Sequence, residues 1–217
     1  MPAQPCVLCG SMSDEGLWCA ACDHALPHLP EAHCPICAMP APNHQICGQC
    51  LKHPPLYART TALYIYTFPV DRLIQAMKYG EQMILANAFA KKLADHITEL
   101  PDLIIPMPLH PAKLRERGYN QAQLLASKLA RVLNVKLLSD GCRRLRDTAP
   151  QTDLPWRERK INMRDAFGCD VDLGGKRVAL VDDVMTTGAS LNALAAAVHK
   201  RGAAEISAWV IARTLRH

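Results

Sequence analysis

Beyond residue 60 the chain alternates between short apolar runs and longer stretches whose apolar side chains recur every three or four positions. TTALYIYTF (60–68) is β-branched and aromatic, which suits a pleated strand. In PVDRLIQAMKYG, Leu73, Ile74 and Met77 share a helical face, with Pro69 at the start and Gly80 at the stop. MILANAFAKKLADHITEL (83–100) continues as an amphipathic helix, and DLIIPMP (102–108) reads as a short buried strand ending in prolines. In LHPAKLRERGYNQAQLLASKLARVLNV, Leu124, Leu125, Leu129, Val132 and Leu133 form a helix face, and VKLLS (135–139) is the next strand. A polar, basic stretch runs from about Arg143 to Arg164. KRVALVDD (176–183) then predicts a strand, TTGASLNALAAAVHKRG (186–202) a loop and helix, and AEISAWVIAR (204–213) a last strand.

Strands alternating with helices predict an α/β domain, a parallel sheet covered on both faces that binds ligands beyond the carboxyl ends of its strands. IIPMP and LVDDVMTTGAS both lie at such ends. The first 55 residues follow neither period, and the proline-marked LKHPPLYART separates them from the rest. The expected division is therefore a small Cys-rich domain at 1–55 and the α/β domain at 56–217.

Eight of the ten cysteines form CxxC pairs in the first fifty residues. A shift of 28 superimposes Cys6, Cys9, Cys19 and Cys22 on Cys34, Cys37, Cys47 and Cys50, each unit reading C-x2-C-x9-C-x2-C. Four thiolates hold Zn²⁺ in a tetrahedron, and a CxxC turn brings two of them onto one ion. Two structural zinc ions follow, with ligands paired inside each unit or interleaved between units. Large aliphatics are scarce here, so metal binding supplies most of the folding energy. His24, His28, His33 and His44 read as solvated loop residues, and Cys142 and Cys169 stand alone as buried packing.

Composition narrows the setting. With 217 residues and 49% hydrophobic content the chain can bury a sizeable core. No apolar run approaches the roughly 18 residues of a membrane span, so no membrane insertion is expected. The N-terminus lacks the pattern of a signal peptide, and the CxxC usage fits a reducing compartment, the cytoplasm. A formal charge of +5 would fall to +1 with eight thiolates on two zinc ions, so local clusters, not the total, must identify partners.

The chemistry concentrates in LVDDVMTTGAS (180–190). Amides and hydroxyls of a Thr/Gly/Ser loop at a helix N-terminus attract an anion, whereas Asp182 and Asp183 repel one. A ribose 5-phosphate resolves the conflict, its phosphate in the loop and its hydroxyls on the carboxylates. A helix cap alone would need one Asp, not two. The segment resembles the signature of type I phosphoribosyltransferases, which bind phosphoribosyl pyrophosphate (PRPP). That resemblance implies a PRPP site at Val184, Met185, Thr186, Thr187, Gly188, Ala189 and Ser190, with Asp182 and Asp183 as the catalytic pair. It also implies that Pro108 and Leu109, in the loop 106–110, hold the pyrophosphate with Mg²⁺. Thr186 stands where the 6-oxopurine enzymes carry an Asp base, so that chemistry lacks its proton acceptor. The double Thr is similar to the orotate enzymes.

Taken whole, the chain resembles the ComF family of competence proteins, including GntX-like members. The resemblance is carried by the CxxC pairs, CPIC…CGQC running into LKHPPLYA, MKYG, PMPLHPAKLRERGYNQAQLLA, APQTDLPWRERKINMRDAF and VALVDDVMTTGAS. It implies a type I phosphoribosyltransferase fold behind the zinc-binding region. It also implies a cytoplasmic protein that handles incoming single-stranded DNA during natural transformation and has a PRPP-type pocket. The alternative it leaves open is an active phosphoribosyltransferase on an unknown acceptor. A helicase or recombination factor is a further candidate partner, docked on the zinc module.

Two basic stretches offer contacts for single-stranded DNA, where cations follow phosphates and rings stack on bases. KLRERGY supplies Lys113, Arg115 and Arg117. The stretch 143–164 holds seven Lys/Arg against three acids, including Arg157, Arg159, Lys160 and Arg164 beside Trp156. The same cations would also serve pyrophosphate or a solvated surface. Gln151 and Asn162 could meet a base or tie a loop, while Trp18 and Trp209 read as core or interface residues.

Overall fold

The computed structural model describes residues 3–14, 16–79, 84–145 and 166–215. At the N-terminus β1 (Gln4–Pro5) and β2 (Met12–Ser13) form an antiparallel pair. The second CxxC of each repeat runs directly into a short helix, α1 (Ala20–Ala25) after Cys19 and α2 (Gly48–Lys52) after Cys47. The two repeats therefore share a local fold as well as a spacing.

The body follows the alternation expected of it. In chain order come β3 (Arg59–Ile65), α3 (Val70–Tyr79), α4 (Ile84–Asp95), β4 (Leu103–Pro106), α5 (Pro111–Arg117), α6 (Gln121–Leu133) and β5 (Lys136–Leu137). The antiparallel pair β6 (Cys142–Arg144) and β7 (Phe167–Cys169) comes next, then β8 (Arg177–Met185), α7 (Ala189–His199) and β9 (Glu205–Arg213). Five strands make one sheet in the order β3-β9-β8-β4-β5, every pair parallel.

Alternation along β8 sets the layers, because successive side chains leave a strand on opposite faces. Ala179 and Val181 join the core under α3, α4 and α6, while Val178 and Leu180 join the core under α7, β6 and β7. Leu17, Trp18 and Leu26 of the first repeat belong to the α3–α4–α6 core, so that repeat is packed into the body. Trp209 is buried there too. The segment 27–29 lies antiparallel along the outer edge of β3: Leu29 N–H donates to Leu63 O (2.9 Å) and Ile65 N–H to Pro27 O (2.7 Å).

Four local readings change. The helix expected over 83–100 ends at Asp95. The long helical stretch after β4 is split at Gly118, which adopts φ 78° and caps α5 before Asn120 starts α6. On α6 Leu125 and Leu129 are fully buried, but Val132 is 46% exposed and falls off the face. Cys142 and Cys169 are buried as expected, yet they do not stand alone: they face each other across the β6–β7 ladder.

Candidate functional site

Between β4 and β8 the connections diverge. The chain leaves β4 through α6 toward β5, and leaves β8 through α7 toward β9. Such a switch point opens a crevice at the carboxyl ends of the two strands. β4 stops at Pro106, paired with Val181, while β8 runs four residues further. Asp182 and Asp183 lie in β8, as the sequence predicts, and the strand runs two residues beyond the expected end at 183. The amides of Asp183 and Val184 are served locally, Asp183 N–H donating to Asp182 Oδ1 and Val184 N–H to Asp183 Oδ1, both at 2.9 Å.

The two carboxylates live in different surroundings. Asp183 follows Val181 onto the α3 side, is buried, and meets the Lys78 ammonium at 2.6 Å. That contact is an ion pair; the buried Oδ2 receives no aligned hydrogen bond from the described residues. Burial works against the charge on Lys78, but the Asp183 carboxylate outweighs it and holds the ammonium above its usual range. Asp182 is partly exposed at its tip yet enclosed by protein. Desolvation first, and the neighbouring Asp183 carboxylate second, push it well above the usual carboxylate range. Lys78 was read only as part of the MKYG resemblance. Its signal was a cation one helical turn after buried Ile74, on the apolar face of α3.

Of the residues assigned to phosphate from the sequence, Val184 and Met185 complete β8, Thr186, Thr187 and Gly188 form the turn, and Ala189 and Ser190 begin α7. The first amides of a helix have no intrahelical acceptor and present donors to an anion. Here Ala189 N–H is taken by Thr187 Oγ1 at 3.3 Å. Gly188 adopts φ 77° at the N-cap, and a Cβ placed there would lie 2.6 Å from Tyr57 Oη. The 56–57 segment is fixed in turn, Leu56 N–H donating to Asn192 Oδ1 at 2.7 Å. Gly188→Ala is therefore expected to cost about 2 kcal/mol, from the left-handed backbone and the Tyr57 clash together. It should also weaken binding of phosphate esters; denaturant melts and a ribose 5-phosphate titration check both.

Pro108 and Leu109 follow β4 at the same edge of the sheet, in the turn that Met107 N–H anchors to Val181 O at 2.8 Å. The GYN that follows α5 holds this side together. Asn120 accepts from the Ala122 and Gln123 amides as the α6 cap and donates through Nδ2 to Met107 O at 3.0 Å. Tyr119 Oη donates to Met77 O, fastening the helix turn that carries Lys78. These residues supply a helix cap and packing.

The cysteines gather as two sets, Cys6/Cys9/Cys19/Cys22 and Cys34/Cys37/Cys47/Cys50, with ligand atoms inside each set within 4.8 Å of one another. Pairing is within each repeat, so the interleaved arrangement is discarded. Cys9 and Cys19 Sγ lie 3.7 Å apart and Cys37 and Cys47 Sγ 3.6 Å, close to the ~3.8 Å edge of a tetrahedron with 2.3 Å Zn–S bonds. Burial raises the Cys6 thiol, but amide donors from Cys19, Cys9 and Leu8 override it and bring it down to about 6. Backbone donors from Cys47, Cys37 and Ile36 likewise outweigh burial at Cys34, bringing it to about 7. Complete thiolate sets with amide-to-sulfur bonds fit structural zinc. His24, His28 and His44 are exposed, as expected, but His24 lies on α1, and His28 donates to Asp23 O and sets its ring against Tyr64; His33 is half-buried.

Among the basic residues, Arg115 is exposed on α5, and Lys113 and Arg117 are half-buried, with Arg117 Nη1 donating to Gln121 Oε1 at 3.3 Å. Arg157, Arg159, Lys160 and Arg164, like Gln151, Trp156 and Asn162, lie outside the described residues.

Comparison with known proteins matches both parts of the chain. Residues 1–51 match the double zinc ribbon domain family, and residues 120–216 the phosphoribosyl transferase domain family. The DNA utilization protein YhgH of Escherichia coli O6:H1 is 34% identical, with 97% of each chain covered. Competence protein F of Haemophilus influenzae is 34% identical over 90% of each chain. Competence protein ComFC of Bacillus subtilis is 26% identical over 96% of this chain and 95% of its own. The fold is thus a double zinc ribbon followed by a parallel-sheet phosphoribosyltransferase domain. No helix among the described residues is long and apolar enough to cross a membrane.

Proposed function

The chain belongs to the ComF family of competence and DNA-utilization proteins, and from that premise we propose that it binds and handles incoming single-stranded DNA in the cytoplasm, with a pocket for PRPP or a related phosphorylated ribose. The observation that carries the pocket is the strand end at the β4–β8 switch point, where β8 bears Asp182 and Asp183 and the turn 186–188 follows directly. Asp183 Oδ2 already meets the Lys78 ammonium, so the less buried Asp182 is the acid open to a ligand hydroxyl or a cation. The amides at the start of α7 would hold the 5-phosphate, the acid pair the ribose hydroxyls, and the 107–110 turn the pyrophosphate. Asp182 and Asp183 with the pyrophosphate oxygens offer the hard, all-oxygen donor set that Mg²⁺ prefers. The ion would neutralise charge on the pyrophosphate.

For DNA, the support is the family membership together with the cations of α5 beside the crevice and of the 143–164 stretch. An active phosphoribosyltransferase on an unidentified acceptor is the second reading, favoured by the domain match over 120–216. Titrating the zinc-loaded protein with PRPP and Mg²⁺, and separately with a labelled single strand at rising salt, tests the proposal. Expected are PRPP binding lost in the Asp182→Asn, Asp183→Asn double variant, and strand affinity that falls steeply with salt. That affinity should fall again when Arg157, Arg159 and Lys160 are neutralised. An intact protein that ignores PRPP would overturn the pocket, and strand affinity indifferent to the triple change would overturn that DNA surface. Pyrophosphate released in an acceptor screen would promote the second reading.

A further inference from the structure

The two zinc ribbons meet the body in different ways. The first packs against helix α4: Trp18 and Phe89 ring centroids lie 5.5 Å apart, and Lys92 reaches Asp23 at 2.7 Å. The second lies against the phosphate-loop side. Its CxxC turn is tied to β3 by Thr60, whose N–H donates to Pro35 O (2.9 Å) and whose hydroxyl donates to Ile36 O (2.6 Å). The next carbonyl along, that of Cys37, accepts from Arg213 Nε at 2.8 Å.

Arg213 ends β9 and is 4% exposed. Its guanidinium spans from the metal-binding turn to the loop. Nη1 donates to Met185 O (2.9 Å), to Thr214 O (2.8 Å) and to Thr186 O, the first residue of the turn. A buried guanidinium is held only where carbonyls surround it, and its planar fork transmits the position of one set of acceptors to the other. A second contact runs in parallel. Tyr57 is buried beneath Gly188, in the apolar cluster against which Ile36 of the second ribbon packs. Tyr57 thus touches the loop from the ribbon side.

We infer that the second zinc ribbon is a working part of the phosphate site, and that Arg213 is the positioning residue joining the Cys37 turn to the 185–186 carbonyls. Zinc at Cys34, Cys37, Cys47 and Cys50 fixes the Cys37 carbonyl; Arg213 carries that constraint to the loop; and the amides at the start of α7 stay aimed at one point. Among the described residues the first ribbon shows no hydrogen bond to the 185–190 loop; it meets the body through Trp18 and the Asp23–Lys92 pair. The phosphate site answers to the metal state of one ribbon and not of the other. This inference builds on the pocket proposed above, and the test separates the two.

The test uses the full, zinc-loaded chain and three variants: Cys47→Ser in the second ribbon, Cys19→Ser in the first, and Arg213→Lys, which keeps the charge but not the fork. Hydrogen exchange of the 185–190 amides reads the loop without any ligand, and titration with PRPP and Mg²⁺ reads the pocket. Cys47→Ser and Arg213→Lys should each speed loop exchange and weaken PRPP by about tenfold, a typical size for coupling between sites. Combining them should add little, because they break the same link. Cys19→Ser should leave loop exchange near that of the parent relative to the rest of the sheet. Linkage requires the converse: PRPP should tighten zinc at the second ribbon alone, and that effect should vanish in Arg213→Lys. Should Cys47→Ser fail to fold, Arg213→Lys and the zinc titration decide the matter. Equal loop exchange in Arg213→Lys and parent would overturn the inference. Altered exchange with no PRPP binding in the parent would keep the link and remove the pocket's proposed ligand.

Discussion

Asp182→Asn is expected to raise the melting temperature, while Asp183→Asn, one residue on, lowers it, although both should abolish binding of a phosphorylated ribose. The pleat sends the neighbours to different environments. Asp182 is held well above the usual carboxylate range by desolvation and by Asp183. A carboxyl whose folded pKa exceeds its unfolded value stabilises while protonated; its contribution is complete below about pH 4 and is lost as pH rises through the folded value. Away from acid the raised carboxyl is a net cost to the fold, and an amide of the same shape removes it. The gain from Asp182→Asn should therefore be absent in acid and grow toward neutrality. Asp183 is the opposite case, its buried carboxylate being the counter-ion of Lys78, whose side chain is only 18% exposed. Removing one member of such a pair strands the other, at about 3 kcal/mol. Thermal melts of both variants from pH 4 to 8 check the signs, and equal shifts in one direction would refute this account of the pair.

Chelation of zinc from the full chain is expected to destabilise the body and not only the first 51 residues. Leu17, Trp18 and Leu26 are counted in the same core as Phe89 of α4 and Ile74 of α3. Trp18 Nε1 donates to Asp23 Oδ1 at 2.8 Å, and Asp23 in turn holds Lys92. Without its metal the first ribbon cannot hold this geometry, because structural zinc supplies roughly 10 kcal/mol or more to a module with little core of its own. The body would then expose the apolar surface of α4 that Trp18 covers. Metal analysis should find zinc filling the two four-cysteine sets, and melts followed by tryptophan fluorescence and by far-ultraviolet dichroism should shift down together on chelation. A body that melts unchanged after the metal is gone would show the contact to be incidental.

What could be read from the sequence was whatever is local. The acid pair, the Thr–Gly turn and its helix lie in one continuous strand–loop–helix, and the cysteine repeat announces itself by spacing. The short apolar run in RVALV and the period of three to four in LLASKLA gave the sheet and its covering helices. What escaped depends on partners far apart in the chain. Lys78 gains its role from Asp183, Tyr57 from Gly188, and Arg213 from carbonyls that include one 176 positions away. No local period marks such a residue; a charge on an apolar face is the most that sequence offers, and Lys78 and Arg213 both carried that mark. Cys142 and Cys169 teach the same lesson, isolated along the chain and opposed in the ladder. The strand that carries the acid pair was ended two residues early because β8 continues past its last β4 partner by pairing with β9, Val184 with Ala212 and Met185 with Arg213.

The strip at 27–29 laid along β3 has a bearing on how the protein behaves when metal is scarce. It lies between the two cysteine sets, so both ends of the strip are held in register by zinc. Once it peels away, β3 presents bare amides and carbonyls, a template on which another copy can add its own strand. The opposite border needs no such guard, since β5 is only two residues long and opens on the exposed Lys136. Starvation for zinc would thus convert a self-contained molecule into a sticky one from a single side, so that precipitation, and not mere loss of ligand, is the first sign of a depleted preparation.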